Sequence, residues 1–314
     1  MKRKIKVGVI GAGHLGKEHC RIYHELPQAE LIGISDQDPS KKEKAVEYEC
    51  QFTTHPRELI GQVEAVSIAT PTNTHYKIAR EFLLAGIHTL IEKPITLKLE
   101  DADELISIAR EKNLLLQVGH IERHNPGLRR IGEIAKNIRF FEIHRLGPFT
   151  GRVNDCGVVL DLMIHDLDIV MNLVKSEVAS FDAVGINVLT PYEDIANVRI
   201  KFKNGAIANL TASRLTPEKQ RKIRIFQQDA YISLDYADQV AKIFRKSGFQ
   251  ITQEKVDIQK AEPLREELAY FLSGVESGEN FGKPDIAARD ALRFALEIVE
   301  DIKKNQPKHS LFHF

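Results

Sequence analysis

The sequence has no surplus of charge of either sign. Across its 314 residues, 44 Lys and Arg side chains balance 44 Asp and Glu side chains. A protein that binds nucleic acid or an anionic membrane by bulk attraction carries a clear positive excess. The balance excludes that class of partner and leaves small molecules bound at particular sites.

Cysteine and long apolar runs are also scarce. Cys20, Cys50 and Cys156 are odd in number, far apart and without a Cys-x-x-Cys pair. This usage indicates a reducing compartment and argues against a cysteine-based zinc site. Lys6 interrupts the first apolar run, so a signal peptide is not expected. The most apolar helix, predicted over residues 158 to 174, contains three aspartates and a histidine, which excludes an ordinary membrane span. We expect a cytoplasmic protein.

The N-terminus has the pattern of a dinucleotide-binding loop. Residues 5 to 10 form an alternating apolar strand that leads into Gly11, Gly13 and Gly16. One glycine makes the turn, one lets the backbone approach a pyrophosphate, and one lets the helix pack on the strand. The anion would lie at the helix N-terminus.

Asp36 closes the next predicted strand, 20 positions beyond Gly16. A carboxylate there accepts hydrogen bonds from an adenosine ribose and repels a 2′-phosphate, which favours NAD over NADP. Lys41 and Lys42 are close enough in sequence to weaken that preference. The alternative is a turn aspartate before Pro39.

Strands and helices alternate up to about residue 122. Strands are predicted over residues 65–69, 87–91 and 114–118, with helices over 74–85 and 100–112. Strands separated by helices of this length indicate a parallel, doubly wound sheet of the Rossmann type. Ligands of such sheets bind at the carboxyl ends of the strands.

The pattern changes after that point. Residues 198–202 alternate with period 2, Asn204-Gly205 is a strong hairpin signal, and two amphipathic helices close the chain. We therefore predict an α/β protein with two domains. Residues 1–122 form the dinucleotide-binding Rossmann domain, and residues 123–314 form an α+β domain with an open, mainly antiparallel sheet.

Two groups of residues offer chemistry. Lys93, in Glu92-Lys93-Pro94, ends a core strand at the carboxyl edge of the sheet, where a ligand would lie; the alternative is an ordinary solvated lysine. Asp161 and His165 are spaced i, i+4 on the predicted helix, so that a carboxylate can orient an imidazole. The alternative is a solvated helix edge. A metal site is not expected, because no second histidine lies nearby.

These motifs together resemble the Gfo/Idh/MocA oxidoreductase family. The resemblance covers essentially the whole chain: the glycine loop, the run from Thr70 to His75, Glu92-Lys93-Pro94, and Asp161-x-x-x-His165. It implies hydride transfer between a nicotinamide cofactor and a carbon that bears a sugar or polyol hydroxyl. It also implies a homodimer or homotetramer formed through the C-terminal sheet.

The resemblance also assigns residues. Lys93, Asp161 and His165 would be catalytic. Lys93 would donate a hydrogen bond to the reacting oxygen or act as the base itself, and His165 would accept the proton. The expected cofactor contacts are Gly11, Gly13, His14, Leu15, Gly16, Asp36, Thr70, Asn73, His75 and Glu92.

A finer resemblance concerns the substrate. The runs around Gly119-His120 and Asp161 are similar to a branch that oxidises C3 of UDP-N-acetylglucosamine, which supplies a keto sugar for lipid A biosynthesis. Where many members have two glycines before Gly157, this chain has Asp155-Cys156, so the loop over the substrate should differ. The residues expected to bind a diphosphate substrate are His120, Arg123, Arg145 and Arg152, with Arg214 as a further arginine.

Other functions remain open from the sequence. An inositol or simple-sugar dehydrogenase would use the same catalytic set. A non-catalytic dinucleotide-binding regulator would have no reason to keep Lys93, Asp161 and His165 together. A methyltransferase that binds adenosylmethionine is disfavoured by the tight glycine spacing.

Overall fold

The computed structural model describes residues 3–151, 156–279, 281–283 and 285–305, which divide into two compact units. The first unit contains the chain up to His124 together with Glu262–Asp290. The second contains the described residues of the range Asn125–Ala261 together with residues 291–305. This division differs from the expected single boundary at residue 122, because a C-terminal segment returns to the first unit.

The sheet of the first unit is parallel throughout. Its strands lie in the order β3-β2-β1-β4-β5-β6. They are β1 (Ile5–Ile10), β2 (Ala29–Ser35), β3 (Gln51–Thr53), β4 (Ala65–Ile68), β5 (His88–Glu92) and β6 (Leu116–Gly119). The expected doubly wound sheet is confirmed, and the order brings the carboxyl ends of β1, β4, β5 and β6 together at one edge.

The helices follow the predicted amphipathic segments, with additions. They are α1 (Gly16–Glu25), α2 (Lys42–Glu47), α3 (Thr72–Leu84), α4 (Leu99–Glu111), α5 (Pro126–Ile134), α6 (Ile164–Val174), α7 (Pro263–Ser277) and α8 (Ile286–Asn305). The short α2 and the strand β3 after it were not predicted, since segments of six and three residues carry too little periodicity. No described helix is both long and apolar enough to cross a membrane.

Helix α7 explains why the C-terminal segment joins the first unit. Its buried side chains Leu264, Leu268 and Phe271 recur at helical spacing and belong to the same apolar core as Tyr23 of α1 and Leu90 of β5. Burial of each such side chain contributes about 2 kcal/mol. The amphipathic pattern was visible in the sequence, but the surface that it covers was not.

The second unit is an open sheet of eight strands in the order β14-β13-β12-β11-β7-β10-β9-β8. The strands are β7 (Phe140–Leu146), β8 (Val178–Ile186), β9 (Ile195–Phe202), β10 (Ile207–Ser213), β11 (Gln220–Phe226), β12 (Ala230–Asp235), β13 (Val240–Ser247) and β14 (Gln250–Val256). Strands β7 and β10 run parallel, and the other paired neighbours are antiparallel. The predicted hairpin joins β9 to β10, with Gly205 at a φ of +85°.

The strands of this sheet bury one face and leave the other open. In β9, Val198, Ile200 and Phe202 are buried, whereas Arg199 and Lys201 between them are exposed. The residues of α8 that belong to this unit cover the buried face, as in the edge-to-face contact of Phe294 with Phe181, whose ring centroids are 5.3 Å apart. The predicted open α+β sheet with one helical face is confirmed.

Candidate functional site

The glycine loop of the first unit forms a cradle. Gly11 has a φ of +89°, and a Cβ on it would lie 2.7 Å from the carbonyl oxygen of Ala69. A Cβ on Gly16 would lie 1.8 Å from the carbonyl oxygen of Gly11, so the start of α1 packs directly on the turn. At Gly13 a Cβ would meet nothing within 4 Å. Gly13 therefore faces open space that a ligand can approach, with His14 exposed and Leu15 half-buried beside it.

Asp36 lies against this loop at the end of β2. Its Oδ2 accepts a hydrogen bond of 2.7 Å from the amide of Ala12, and its Oδ1 accepts one of 2.9 Å from the amide of Asp38. Each carboxylate oxygen keeps a further lone pair for a hydroxyl donor. Asp36 thus accepts a local turn hydrogen bond and still has lone pairs that a ligand hydroxyl can use.

A cavity of about 330 Å³ connects the glycine loop with Asp36. Its walls also include Gln37, Asp38, Thr54 and Pro56. Thr54 and Pro56 follow β3 and were not predicted, because their place in the same cavity as Asp36 depends on β3 pairing with β2. The open space at Gly13 and the free carboxylate lone pairs fit a dinucleotide, and the volume suits one half of it.

The run from Thr70 to His75 begins α3, and its members face different ways. Thr70 lines the cavity and accepts a hydrogen bond of 2.7 Å from the hydroxyl of Thr74. Asn73 is exposed. His75 is only 1% exposed, with Nε2 2.9 Å from the carbonyl oxygen of Thr70 and Nδ1 3.0 Å from that of Pro94.

His75 therefore does not fit the expected cofactor contact. Its imidazole bridges the two turns that follow β4 and β5, and burial lowers its pKa. A neutral imidazole donates one of these two hydrogen bonds. The sequence could not distinguish this bridging role, because both roles require a histidine near the edge of the sheet.

The Glu92-Lys93-Pro94 turn ends β5 at the same edge. Lys93 is half-buried, and its peptide bond to Pro94 is cis. Glu92 is buried, and its Oε1 lies 3.0 Å from Nε2 of His19 in α1. The Glu92 side chain thus faces the interior of the unit, in contrast to the expected cofactor contact. Lys93, the next residue, is half-buried where β5 ends at this edge of the sheet.

Two expected substrate residues of the first unit also have protein surroundings. His120, directly after β6, is 1% exposed. Arg123 forms a half-buried ion pair of 2.7 Å with Asp285. The ion pair gives Arg123 a structural role, which the sequence could not indicate because Asp285 is distant along the chain.

In the second unit, Asp161 lies just before α6, and His165 lies at its start. Asp161 is half-buried within a π-helical turn over Val159–Met163, and His165 is 8% exposed in the first turn of α6. Single π turns of this kind recur at functional sites. The burial of His165 argues against a solvated helix edge.

Arg145 holds the start of this helix to the sheet. Its guanidinium, 4% exposed on β7, donates two hydrogen bonds to Oδ1 of Asp166, at 3.0 and 2.9 Å, and lies 5.1 Å from the ring centroid of Tyr236. Asp166 directly follows His165. Arg145 therefore serves to position the helix, in contrast to the expected diphosphate contact.

Arg214, like Arg145, forms an ion pair with a buried aspartate. Its Nε donates a hydrogen bond of 2.7 Å to Oδ1 of the fully buried Asp194.

Arg152 and Asp155, which carry the remaining expectations about the substrate loop, lie outside the described residues. In the part of the chain that the structure describes, no three His, Cys, Asp or Glu side chains are grouped so as to hold a metal ion.

The architecture thus defines a dinucleotide-binding α/β unit joined in one chain to an α+β unit that carries an Asp-His pair. Residues 5–120 match the family model described as "Oxidoreductase family, NAD-binding Rossmann fold". Residues 131–233 match the model of the GFO/IDH/MocA C-terminal domain. The chain belongs to the Gfo/Idh/MocA family of oxidoreductases.

Two named relatives and one solved structure show which enzymes of the family this chain is similar to. UDP-N-acetylglucosamine 3-dehydrogenase of Acidithiobacillus ferrooxidans is 37% identical over 302 residues, which are 94% of this chain and 96% of the relative. A solved structure of that enzyme has a TM-score of 0.90 at 36% identity, covering 96% of this chain and 99% of that one. Myo-inositol 2-dehydrogenase of Thermotoga maritima is 28% identical, with 96% of both chains covered.

Proposed function

We propose that this chain oxidises the C3 hydroxyl of UDP-N-acetylglucosamine with NAD. The observation that carries the proposal is the 37% identity to an enzyme of that name over nearly the full length of both chains. The inositol dehydrogenases are less similar: that of T. maritima is 28% identical over the same extent. A keto sugar made in this way would be a substrate for the aminotransferase step of lipid A biosynthesis.

The preference for NAD rests on the charges around the cavity. Asp36 and Asp38 both line it, and two carboxylates repel a 2′-phosphate. Lys41 would counter that repulsion, but its Nζ lies 3.7 Å from the Asp38 carboxylate, which offsets its charge. NADP would therefore bind more weakly than NAD.

The catalytic roles follow from the chemistry of alcohol oxidation. NAD, when bound, accepts the hydride from the carbon. The hydroxyl must also lose a proton, which a neutral imidazole at His165 can take near neutral pH, with Asp161 orienting the ring. Lys93 donates a hydrogen bond to the developing alkoxide, or accepts the proton itself if its ammonium is deprotonated. We propose these three residues as the catalytic set.

The first test measures NADH absorbance when the protein and NAD are mixed with UDP-N-acetylglucosamine. N-Acetylglucosamine, myo-inositol and glucose are the comparison substrates. We expect turnover with the nucleotide sugar and much less with the free sugars. Absence of turnover with any nucleotide sugar would refute the substrate, and turnover with myo-inositol alone would support the inositol dehydrogenase instead.

The second test concerns the catalytic set. Lys93→Met and His165→Asn should each lower kcat by at least ~100-fold, as expected when an acid–base group is lost. The Kd for NAD, measured by fluorescence titration, should remain close to that of the wild type. Lys98→Met, at an exposed lysine on the same connection, is the matched control. Equal kcat values in the variants and the control would exclude these roles.

We also propose a homo-oligomer formed through the open face of the C-terminal sheet. Phe140, Phe226, Tyr231 and Phe244 form a row across four adjacent strands on that face, with successive ring centroids 5.4, 4.8 and 5.1 Å apart. Phe226→Glu should shift the mass measured by light scattering towards the monomer. Phe249→Glu, on the exposed turn after β13, should not.

A cytoplasmic location accompanies this proposal. Among the described residues, Cys20 and Cys50 form no disulfide bond, as expected in a reducing compartment.

A further inference from the structure

Glu267 is an acidic side chain in an apolar setting. It lies on α7 within the stripe of Leu264, Leu268 and Phe271, and it is fully buried. Among the described residues, neither oxygen of its carboxyl group has a hydrogen-bond partner. An ionised carboxylate without a partner is strongly disfavoured in such surroundings, so the group is a neutral carboxylic acid in the folded protein.

The surroundings of Glu267 together raise the pKa of its carboxyl group. Burial raises its pKa well above the usual range, and the negative charge of Glu92 raises it further. Arg123 lowers the pKa of Glu267, but the Arg123 guanidinium is paired with Asp285. The negative charges of Asp285 and Glu122 raise the pKa of Glu267.

Helix α1 contributes two further buried titratable groups, Tyr23 and His19. Tyr23, fully buried, senses the charges of both Glu267 and Glu92, and its hydroxyl is 2.7 Å from Oγ of Ser67. His19 is buried next to Glu92, and its Nδ1 has no partner among the described residues. The cluster thus contains two carboxyl groups and one imidazole within the first unit.

Glu92 and Glu267 have different surroundings in this cluster. Glu92 accepts the hydrogen bond from Nε2 of His19, and it packs so closely on β6 that a Cβ on Gly119 would lie 2.8 Å from its Oε2. Two carboxyl groups that share a buried site do not both ionise. The Glu92 carboxyl group has a hydrogen-bond partner and that of Glu267 has none among the described residues, so the proton is carried by Glu267.

We propose that Glu267 is a positioning residue for the reaction: it stays protonated behind Glu92 and thereby keeps the Glu92–His19 hydrogen bond in place. Glu92 is the residue directly before Lys93, so a displacement of its side chain moves the backbone that carries the catalytic lysine. The role in the reaction rests on the proposed dehydrogenase function. The protonation of Glu267 does not rest on it.

The protonation is tested without substrate by infrared spectroscopy. Wild-type protein at neutral pH should show the carbonyl stretch of a buried carboxylic acid, and this band should be lost in Glu267→Gln and kept in Glu266→Gln, the neighbouring control. The band should disappear from the wild type as the pH is raised. Identical spectra for the wild type and Glu267→Gln would mean that Glu267 is ionised, which overturns the proposal.

The positioning role is tested by the dependence of kcat on pH. Above the pKa of Glu267, kcat of the wild type should fall by up to about tenfold per pH unit, as a single ionisation dictates. Glu267→Gln stays neutral and should keep kcat level over that interval. Glu267→Leu, which matches the apolar stripe, is the second variant in case the amide disturbs folding. The same alkaline fall in the wild type and both variants would overturn the role.

The two tests fail separately. If no nucleotide sugar is oxidised at all, the proposed function fails, and the infrared titration still decides the state of Glu267. If the sugar is oxidised but the pH profiles coincide, only the role of Glu267 fails.

Discussion

Replacement of Asp194 by Asn should lower the free energy of unfolding by about 3–5 kcal/mol, the usual result of breaking a buried ion pair. Oδ2 of Asp194 accepts the amides of Val188, Leu189 and Thr190 at 2.7, 2.6 and 3.0 Å. Oδ1 accepts the Thr190 hydroxyl at 2.9 Å and Nε of Arg214 at 2.7 Å. All five neighbours are donors, so an asparagine amide group would face donors in either orientation.

The pH dependence has a defined sign. Burial acts to raise the pKa of Asp194, but the three amides and Arg214 together outweigh it, and the pKa falls from 3.8 to about 2. The carboxylate therefore stabilises the fold fully above pH 3.8, and this contribution of about 2 kcal/mol is lost as the pH falls towards 2. The Asn variant should lack this part of the acid dependence.

Urea titration measures the change in the free energy of unfolding caused by Asp194→Asn. Amide hydrogen exchange of residues 188–190 measures the loss of protection at the three amides that Asp194 accepts. The matched control is Asp182→Asn, at an exposed aspartate on β8 of the same sheet. A loss below about 1 kcal/mol in Asp194→Asn, with unchanged exchange of the three amides, would refute the reasoning.

The remaining predictions concern the glycines and His75. Gly16→Ala should lower the urea midpoint, because its Cβ would lie 1.8 Å from a backbone oxygen. At Gly13 a Cβ would meet nothing within 4 Å, so Gly13→Ala should keep the midpoint. The added methyl group would occupy the space that the ligand approaches, so this variant should raise the Kd for NAD at least ~10-fold. His75→Phe removes the hydrogen bond that the neutral imidazole donates to one of the two carbonyl oxygens, so it should cost about 1–3 kcal/mol in urea titration and raise the Kd for NAD; an unchanged midpoint would exclude the bridge. Gly157→Ala should lower kcat without changing the Kd for NAD, because its Cβ would lie 2.0 Å from the Glu193 carboxylate that accepts the Val159 amide ahead of α6. Equal kcat values there would show that this contact does not position the helix.

The local motifs were predictable because each depends on neighbours in the chain. The glycine loop needs a tight turn after a strand, and the alternation of buried and exposed residues in β9 needs only the period of a strand. The orientations of Glu92, His75 and Arg145 were not predictable. Their partners are His19, Pro94 and Asp166, which come close only when strands and helices from separate segments pack together.

The sequence by itself determined the two kinds of sheet, the glycine cradle, and the positions of Lys93, Asp161 and His165 along the chain. Periodicity and turn chemistry are local, so they can be read in order. The tertiary structure alone decided that Glu267 of α7 is buried in the first unit near Glu92, and that Arg145 and Arg214 are held by aspartates. Burial and charge pairing depend on which distant segments meet, and no local pattern contains that information.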